Sequence, residues 1–356
     1  MDEQLELDDA TILIDARWVG NGGPGRVVEN LLRGLREVEP AGSWILWGSD
    51  KVAEFGWSGS RHLHSAHSPK ALLGQREIPK LPKQVDLAYF PHQIRPAWRL
   101  ARREITTIHD TIPFRYSSSR GAAMSLKLYF RWMAQLSTHI ATDSEFSKRC
   151  LIRDLKVAPE KVSVLALPID HESADRVRNL RDTSRTDELT PLVVFLGRDA
   201  PHKNLDRLVR AFAKTEAQSK GATLLLIGVG SEAAERLTEL AQHCGARLET
   251  PGELSQSDLE ATLARASLLV QPSFEEGFGL PVAEALAAGI PVAISSGGSL
   301  PEITQNQLRG FDPNSEAEIT EAIDEGLTSP SLPAIQFLRP EEFAENFLGL
   351  ASRILA

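Results

Sequence analysis

Short apolar runs bounded by turns, each followed by a stretch of helical periodicity, recur along almost the whole chain, and this alternation constrains the fold more than any other feature. In the first half the runs are residues 11–16, 44–47, 87–90, 105–109, 139–142 and 162–167, with helical stretches such as 27–36 and 146–155 between them. In the second half residues 192–197, 223–228, 267–272 and 291–295 repeat the pattern, with helices expected over 205–215, 232–243 and 281–289. Strands alternating with helices build parallel sheets covered on both faces. Between the two sets lies "DHESADRVRNLRDTSRTDELTP", which carries almost no apolar periodicity and reads as a linker. The expected class is therefore α/β, with two doubly wound, Rossmann-like domains facing a central cleft. The expected boundaries are residues 1–170, a linker at 171–190, and 191–340. Residues 52–84, rich in Gly, Ser, His and Lys, are expected to form long loops.

Length agrees with this division, since 356 residues at roughly 150 per domain make two. No apolar run approaches the ~18 residues that span a bilayer. The first ten residues, "MDEQLELDDA", are acidic and lack the basic and apolar parts of a secretory leader. Cys150 and Cys244 are the only cysteines, which fits a reducing cytoplasm better than a disulfide scaffold. A net charge of −9 disfavours nucleic acid as a partner. The charge is uneven, however. Residues 95–131 hold eight Lys/Arg against two acids, and "RPAWRLARR" gathers the cations around Trp98. That segment reads either as solvated surface or as a contact for an anionic acceptor or the inner face of a membrane.

Three turns carry chemistry. "VGNGGPGRVVENLL" fits the spacing G-x-G-x-x-G at Gly20, Gly22 and Gly25 and follows a strand, so it passes for a dinucleotide loop, with Asp50 as the acid that reads a ribose. "PSFEEGFGLPVAEALAAG" has a strand end, two glycines, and Pro281 opening a helix, where its missing N–H costs nothing. The amides of Phe278, Gly279 and Leu280 are then orphan donors at the positive end of a helix, which is an anion site. Glu276 before the turn and Glu284 in the helix stand on either side of it. Carboxylates accept from sugar hydroxyls, so an anion with hydroxyls at both ends, such as a nucleotide sugar, matches this pattern. The plainer reading is that the acids only complement the helix dipole, and it is preferred for Glu275. "GRDAPHKN" also joins a strand to a helix, and its Arg198 and Lys203 would meet there to neutralise a diphosphate.

Taken together, Arg198 with Lys203 and the Glu-x7-Glu segment "EGFGLPVAE" resemble the retaining glycosyltransferases of family 4, in particular their mannosyltransferase-like members, which have the GT-B fold. "GGPGR" resembles the family's N-terminal glycine loop, "TTIHDTIPFRY" its central His-Asp segment and "ATDSEFSKR" its Ser-Glu-Phe-Ser segment. The resemblance implies that Arg198 and Lys203 hold the donor diphosphate. It implies that Glu276 touches the transferred sugar, Glu284 the ribose, and the amides from Phe278 to Leu280 the sugar and phosphates. Gly22, Gly23 and Gly25 would approach the donor, with Arg26 as an extra cation, and His109 would stand at the reaction centre. Asp110 would orient His109 or cap its loop. Residues 341–356 would cross back to the N-terminal domain. "TQNQLRGFDP" departs from the family's usual Gly-Asp-Ala type of sequence.

The implied reaction moves a hexose from a nucleotide sugar to an acceptor hydroxyl of a glycan, glycolipid or glycoside, with retention. The "IHDTIPFRY" segment points first to GDP-mannose and next to a UDP-sugar. No Asp-x-Asp is present, so no metal or other cofactor is expected. The competing readings are an NAD-dependent oxidoreductase using the first glycine loop, a non-catalytic sugar-nucleotide or glycan binder, and a phosphorylase or epimerase of the same fold.

Overall fold

The computed structural model describes residues 7–77, 79–81, 84–184, 190–330 and 335–356. The chain forms two compact units. The first comprises Met1–Ile169 with Leu338–Ala356, and the second Asp170–Phe337.

The first unit holds a seven-stranded sheet of β1 (Thr11–Asp15), β2 (Ser43–Gly48), β3 (Ser60–His64), β4 (Leu87–Phe90), β5 (Arg103–Thr107), β6 (His139–Thr142) and β7 (Val162–Val164). The order is β3-β2-β1-β4-β5-β6-β7, and every pairing is parallel. The central strands are buried, β4 throughout and β1 from its second residue on, as a sheet covered on both faces requires. The last helix, Pro340–Leu355, packs against the first, Gly22–Val38. Their crossing is close because Gly34 has no side chain, and a Cβ there would lie on the carbonyl of Pro340. Phe347 of the last helix stacks on Tyr89 of β4 at 4.6 Å. The second unit holds β8 (Leu192–Leu196), β9 (Thr223–Ile227), β10 (Leu248–Gly252), β11 (Leu268–Gln271) and β12 (Val292–Ile294), in the parallel order β10-β9-β8-β11-β12. Among the described residues no helix is long and apolar enough to cross a membrane.

Three expectations need correction. Residues 52–84 are not loop throughout, since "SRHLH" pairs with β2 as β3. Its one aliphatic residue, Leu63, makes no apolar run, as suits an edge strand. The expected linker 171–190 is in large part a helix, His171–Ser184, and residues 185–189 lie outside the described residues. This helix buries little besides Ala174 and Val177. Polar contacts hold it instead: Arg176 and Ser173 bind Glu260 at 2.8 Å, and Arg181 donates to the carbonyl of Ala266 at 2.6 Å. Finally, Arg95 is no surface charge. It is 1% exposed, pairs with Glu104 at 2.8 Å and lies over the ring of Phe90.

Candidate active site

Doubly wound sheets bind ligands beyond the carboxyl ends of their strands, where the strand order reverses. In the second unit the order reverses between β8 and β11. The loop after β8 carries Arg198 and Lys203, and the loop after β11 carries Glu276. These loops meet. Lys203 Nζ donates to Glu276 Oε1 at 2.6 Å, and the same oxygen accepts from Gln271 Nε2 at 2.6 Å and Ser273 Oγ at 2.5 Å. Glu276 is 7% exposed. Burial opposes its charge, but the ammonium of Lys203 and the hydrogen bonds from Lys203 and Ser273 outweigh it, so the carboxyl titrates below its ordinary range. The other oxygen, Oε2, takes no bond among the described residues. His202, beside this pair, is pushed down to about 4 by burial and by the charge of Lys203, and is therefore neutral at pH 7.

The turn that follows Glu276 is held from behind. Ser299 Oγ donates to the carbonyl of Phe278 at 2.7 Å, and Ser299 N to that of Glu276 at 3.1 Å. Ser295 Oγ donates to the carbonyl of Ser273 at 2.5 Å. A Cβ at Gly298 would lie 2.3 Å from the nitrogen of Glu276, so only glycine lets the two loops touch. "GGSLPE" thus acts as a brace for the turn. The helix Leu280–Ala287 begins with Gly279 as its N-cap at φ +99° and Pro281 in its first turn. The N–H groups of Phe278, Gly279 and Leu280 donate to nothing among the described residues, which leaves the helix start with unfilled donors. Glu284 lies half-buried on that helix.

Arg198 and Lys203, both in the loop after β8, have different surroundings. Lys203 turns to Glu276, while Arg198 is exposed and has no ion-pair partner among the described residues. Arg198 lines a pocket of about 630 Å³ beyond the ends of β8, β9 and β10, together with Gly228, Gly230, Ser231, Gly252 and Glu253. Gly230 caps the helix Ser231–Cys244, so this pocket also contains a helix N-terminus.

In the first unit the order reverses between β1 and β4. The glycine loop follows β1, and the helix Gly22–Val38 starts within it without a side-chain cap. The N–H groups of Gly22 and Gly23 donate to nothing among the described residues, and the space beside both residues is open. Gly25 is different. A Cβ there would lie 2.6 Å from the carbonyl of Trp18, so its smallness is needed by the turn itself, not by a ligand. Asp50, the candidate ribose acid, is an exposed residue bonded to His64 at 2.8 Å. Arg26 is exposed.

His109 follows β5 and is bonded at both ring nitrogens. Nδ1 faces Asp143 Oδ2 at 2.8 Å, and Nε2 faces the carbonyl of Pro91 at 3.1 Å. Two acceptors require two N–H donors, which is the imidazolium. Burial works against that charge, but Asp143 prevails and raises the pKa. A doubly donating imidazolium has no lone pair with which to act as a base, so in this form His109 holds its loop rather than accepting a proton. Asp110, expected to orient His109 or to cap its loop, accepts from the nitrogen of Ile112 at 2.9 Å and caps the next turn, and its charge adds to the rise in the His109 pKa. Asp143 does the orienting. The sequence contained it, in "ATDSEF", but nothing local marks a partner 34 residues away. The ring of His92 lies 5.6 Å from that of His109 and 4.1 Å from that of Trp18. Burial, His109 and Lys70 push its pKa down to about 2, so it stays neutral.

Residues 177–338 match the family model described as "Glycosyl transferases group 1". The chain is 26% identical over 230 residues to the O-antigen chain mannosyltransferase RfbU of Salmonella typhimurium, covering 63% of this chain and 61% of that protein. It is 28% identical over 251 residues to the serotype-specific mannosyltransferase WbdA of Escherichia coli, covering 65% of this chain and 30% of that protein. The match thus spans less than two thirds of either relative's own length. Among solved structures, Anabaena Alr3699/HepE in complex with UDP and glucose superposes with a TM-score of 0.64 at 16% identity, covering 97% of this chain and 95% of that one. At this identity the likeness is one of fold: two parallel-sheet α/β units of the GT-B architecture.

Proposed function

We propose that this chain is a retaining, metal-independent hexosyltransferase that moves mannose from GDP-mannose to a hydroxyl of a glycan, glycolipid or glycoside. The observation that carries the reading is the Lys203–Glu276 pair in the turn before helix Leu280–Ala287, with Glu276 Oε2 and three backbone N–H groups left unfilled among the described residues. Glu276 Oε2 would accept from a hydroxyl of the sugar. The amides of Phe278, Gly279 and Leu280 would bind the sugar and phosphates, with Arg198 and the remaining donors of Lys203 on the diphosphate. Glu284 would take the ribose, and the pocket beside Arg198 would take the base. In the reaction the bond from the anomeric carbon to the diphosphate oxygen breaks, and a bond to the acceptor oxygen forms on the same face. The acceptor proton passes to the departing phosphate oxygen, so no protein base is needed. This agrees with a His109 that has no lone pair to offer. Preorganised donors aimed at a leaving diphosphate lower the barrier without a metal. The mannosyltransferase relatives support mannose as the sugar.

A UDP-sugar is the second reading, supported by the similarity of fold to a protein solved with UDP and glucose. A thermal-shift panel separates them, because a ligand that binds only the native state raises the melting temperature. GDP-mannose is expected to give the largest rise, and a larger rise with UDP-glucose would move the donor to the second reading. NDP release should persist after chelation, and a strict requirement for added Mn²⁺ or Mg²⁺ would refute metal independence. Stabilisation by NADH and by no nucleotide sugar would overturn the transferase.

A further inference from the structure

Four large apolar side chains stand well exposed among the described residues: Met124 (57%), Leu128 (59%), Trp132 (43%) and Leu180. The first three lie on one helix, Arg120–Leu136, at intervals of four, so at 3.6 residues per turn they form a single stripe. The helix is seated by its opposite side, through buried Phe130, Met133 and Ala134. Arg120, Lys127 and Arg131 flank the stripe on one side, and the helix contains no acid at all.

We infer that this helix lies flat on an anionic phospholipid surface, with Met124, Leu128 and Trp132 dipping into the headgroup boundary and Arg120, Lys127 and Arg131 on the lipid phosphates. An apolar stripe bordered by cations, with a tryptophan among its apolar residues, is the composition that favours a bilayer interface. Three side chains cover far less than the ~800 Å² per partner of a stable protein interface. A second copy would bring the same cations face to face, because a two-fold contact opposes a patch to itself. A bilayer meets neither objection. Within the basic region read in the sequence, Arg95 is buried, and the far end of the segment, Arg120 to Arg131, carries the contact. The inference rests on this surface and not on the donor reading. Joined to the proposed function, it makes the acceptor a molecule held in the membrane.

The test is co-sedimentation of the full chain with phosphatidylcholine vesicles, with and without phosphatidylglycerol. The chain should sediment with the anionic vesicles and be released by high salt, since surface attraction is screened. Combined Met124→Ser, Leu128→Ser and Trp132→Ser substitutions should lower the partition roughly tenfold or more, as should Lys127→Glu with Arg131→Glu. The charge variant keeps the apolar packing, so it serves if the triple variant fails to fold, as judged by circular dichroism. NDP release with a water-soluble acceptor should be unchanged in both, which separates this inference from the donor reading. Wild-type sedimentation of the charge variant, no preference for anionic vesicles, or a dimer in sedimentation velocity that the triple variant abolishes would overturn it.

Discussion

The two units each place a buried ion pair beyond the carboxyl ends of their strands, and they use it in opposite ways. In the first unit His109 gives one N–H to Asp143 and the other to Pro91, so the cation has nothing left to give. In the second unit Lys203 puts one bond on Glu276, while Glu276 gathers three donors on Oε1 and keeps Oε2 unspent. Arg198 and the amides of the next helix start are unspent too among the described residues. Buried charge is expensive and must be compensated. The first unit compensates it completely and obtains a rigid loop. The second compensates it just enough to keep the carboxylate ionised, and retains capacity for a ligand. Counting filled hydrogen-bonding valences, rather than charges, separates a group that holds shape from one that waits for a partner.

The largest expected effect comes from removing the unspent groups. Glu276→Ala and Arg198→Ala should each lower turnover by about a hundredfold or more, the scale of a lost transition-state partner. Because Arg198 is exposed, its loss should change stability by no more than ~0.5 kcal/mol. Near-wild-type NDP release in either variant would break the comparison at its active side. Lys203→Ala acts on stability as well. It strands a carboxylate that is 7% exposed, and urea unfolding should show a loss on the order of 2–3 kcal/mol at pH 7. The Glu276 pKa is depressed in the native state, so the pair's contribution is present above the carboxyl's ordinary pKa and disappears as pH falls through the lowered value. The wild type and Lys203→Ala should therefore converge in acid.

Asp143→Asn tests the rigid side. The histidine's native pKa is raised, so the stability it contributes is complete below the ordinary value near 6.5 and is lost as pH climbs through the raised one. The substitution should cost about 1–2 kcal/mol at pH 6, shrink at higher pH, and move the His109 proton resonance to a lower titration midpoint. An unmoved midpoint would show that Asp143 does not hold the charge. The effect that is smallest at neutral pH concerns His92, the neutral neighbour. With its native pKa near 2, the unfolded chain takes up a proton that the native chain refuses, so stability should decline by about 1.4 kcal/mol per pH unit below pH 6.5. His92→Gln should flatten that slope, as measured by denaturant midpoints across pH.

The buried strands were plain in the sequence because strands covered on both faces need apolar runs. β3 and β10 were not, because each is the outer strand of its sheet and half exposed. The helix His171–Ser184 was missed for a related reason: it is held by guanidinium bonds to Glu260 and to main-chain carbonyls, which leave no periodic trace. In the site, local chemistry marked Glu276, the glycines around Phe278 and the cations of "GRDAPHKN". What it did not show was pairing. Lys203 meets Glu276 across 73 residues and His109 meets Asp143 across 34, and only the sheet order brings those loops together. Asp110, adjacent to His109 in sequence, reads equally as its orienter or as a loop cap, and the bond from the nitrogen of Ile112 matches the second.

The crossing of the last helix over Gly34 has a consequence for how the molecule is made. The first unit is discontinuous in sequence, whereas the second runs unbroken from Asp170 to Phe337. Domains tend to fold in the order in which they leave the ribosome. Here the unit that emerges first is completed last, since the groove at Gly34 and the ring of Tyr89 stay uncovered until Ala344 and Phe347 have been synthesised. A nascent chain halted anywhere in the second unit therefore carries an open seam in the first, and the helix Pro340–Leu355 closes it.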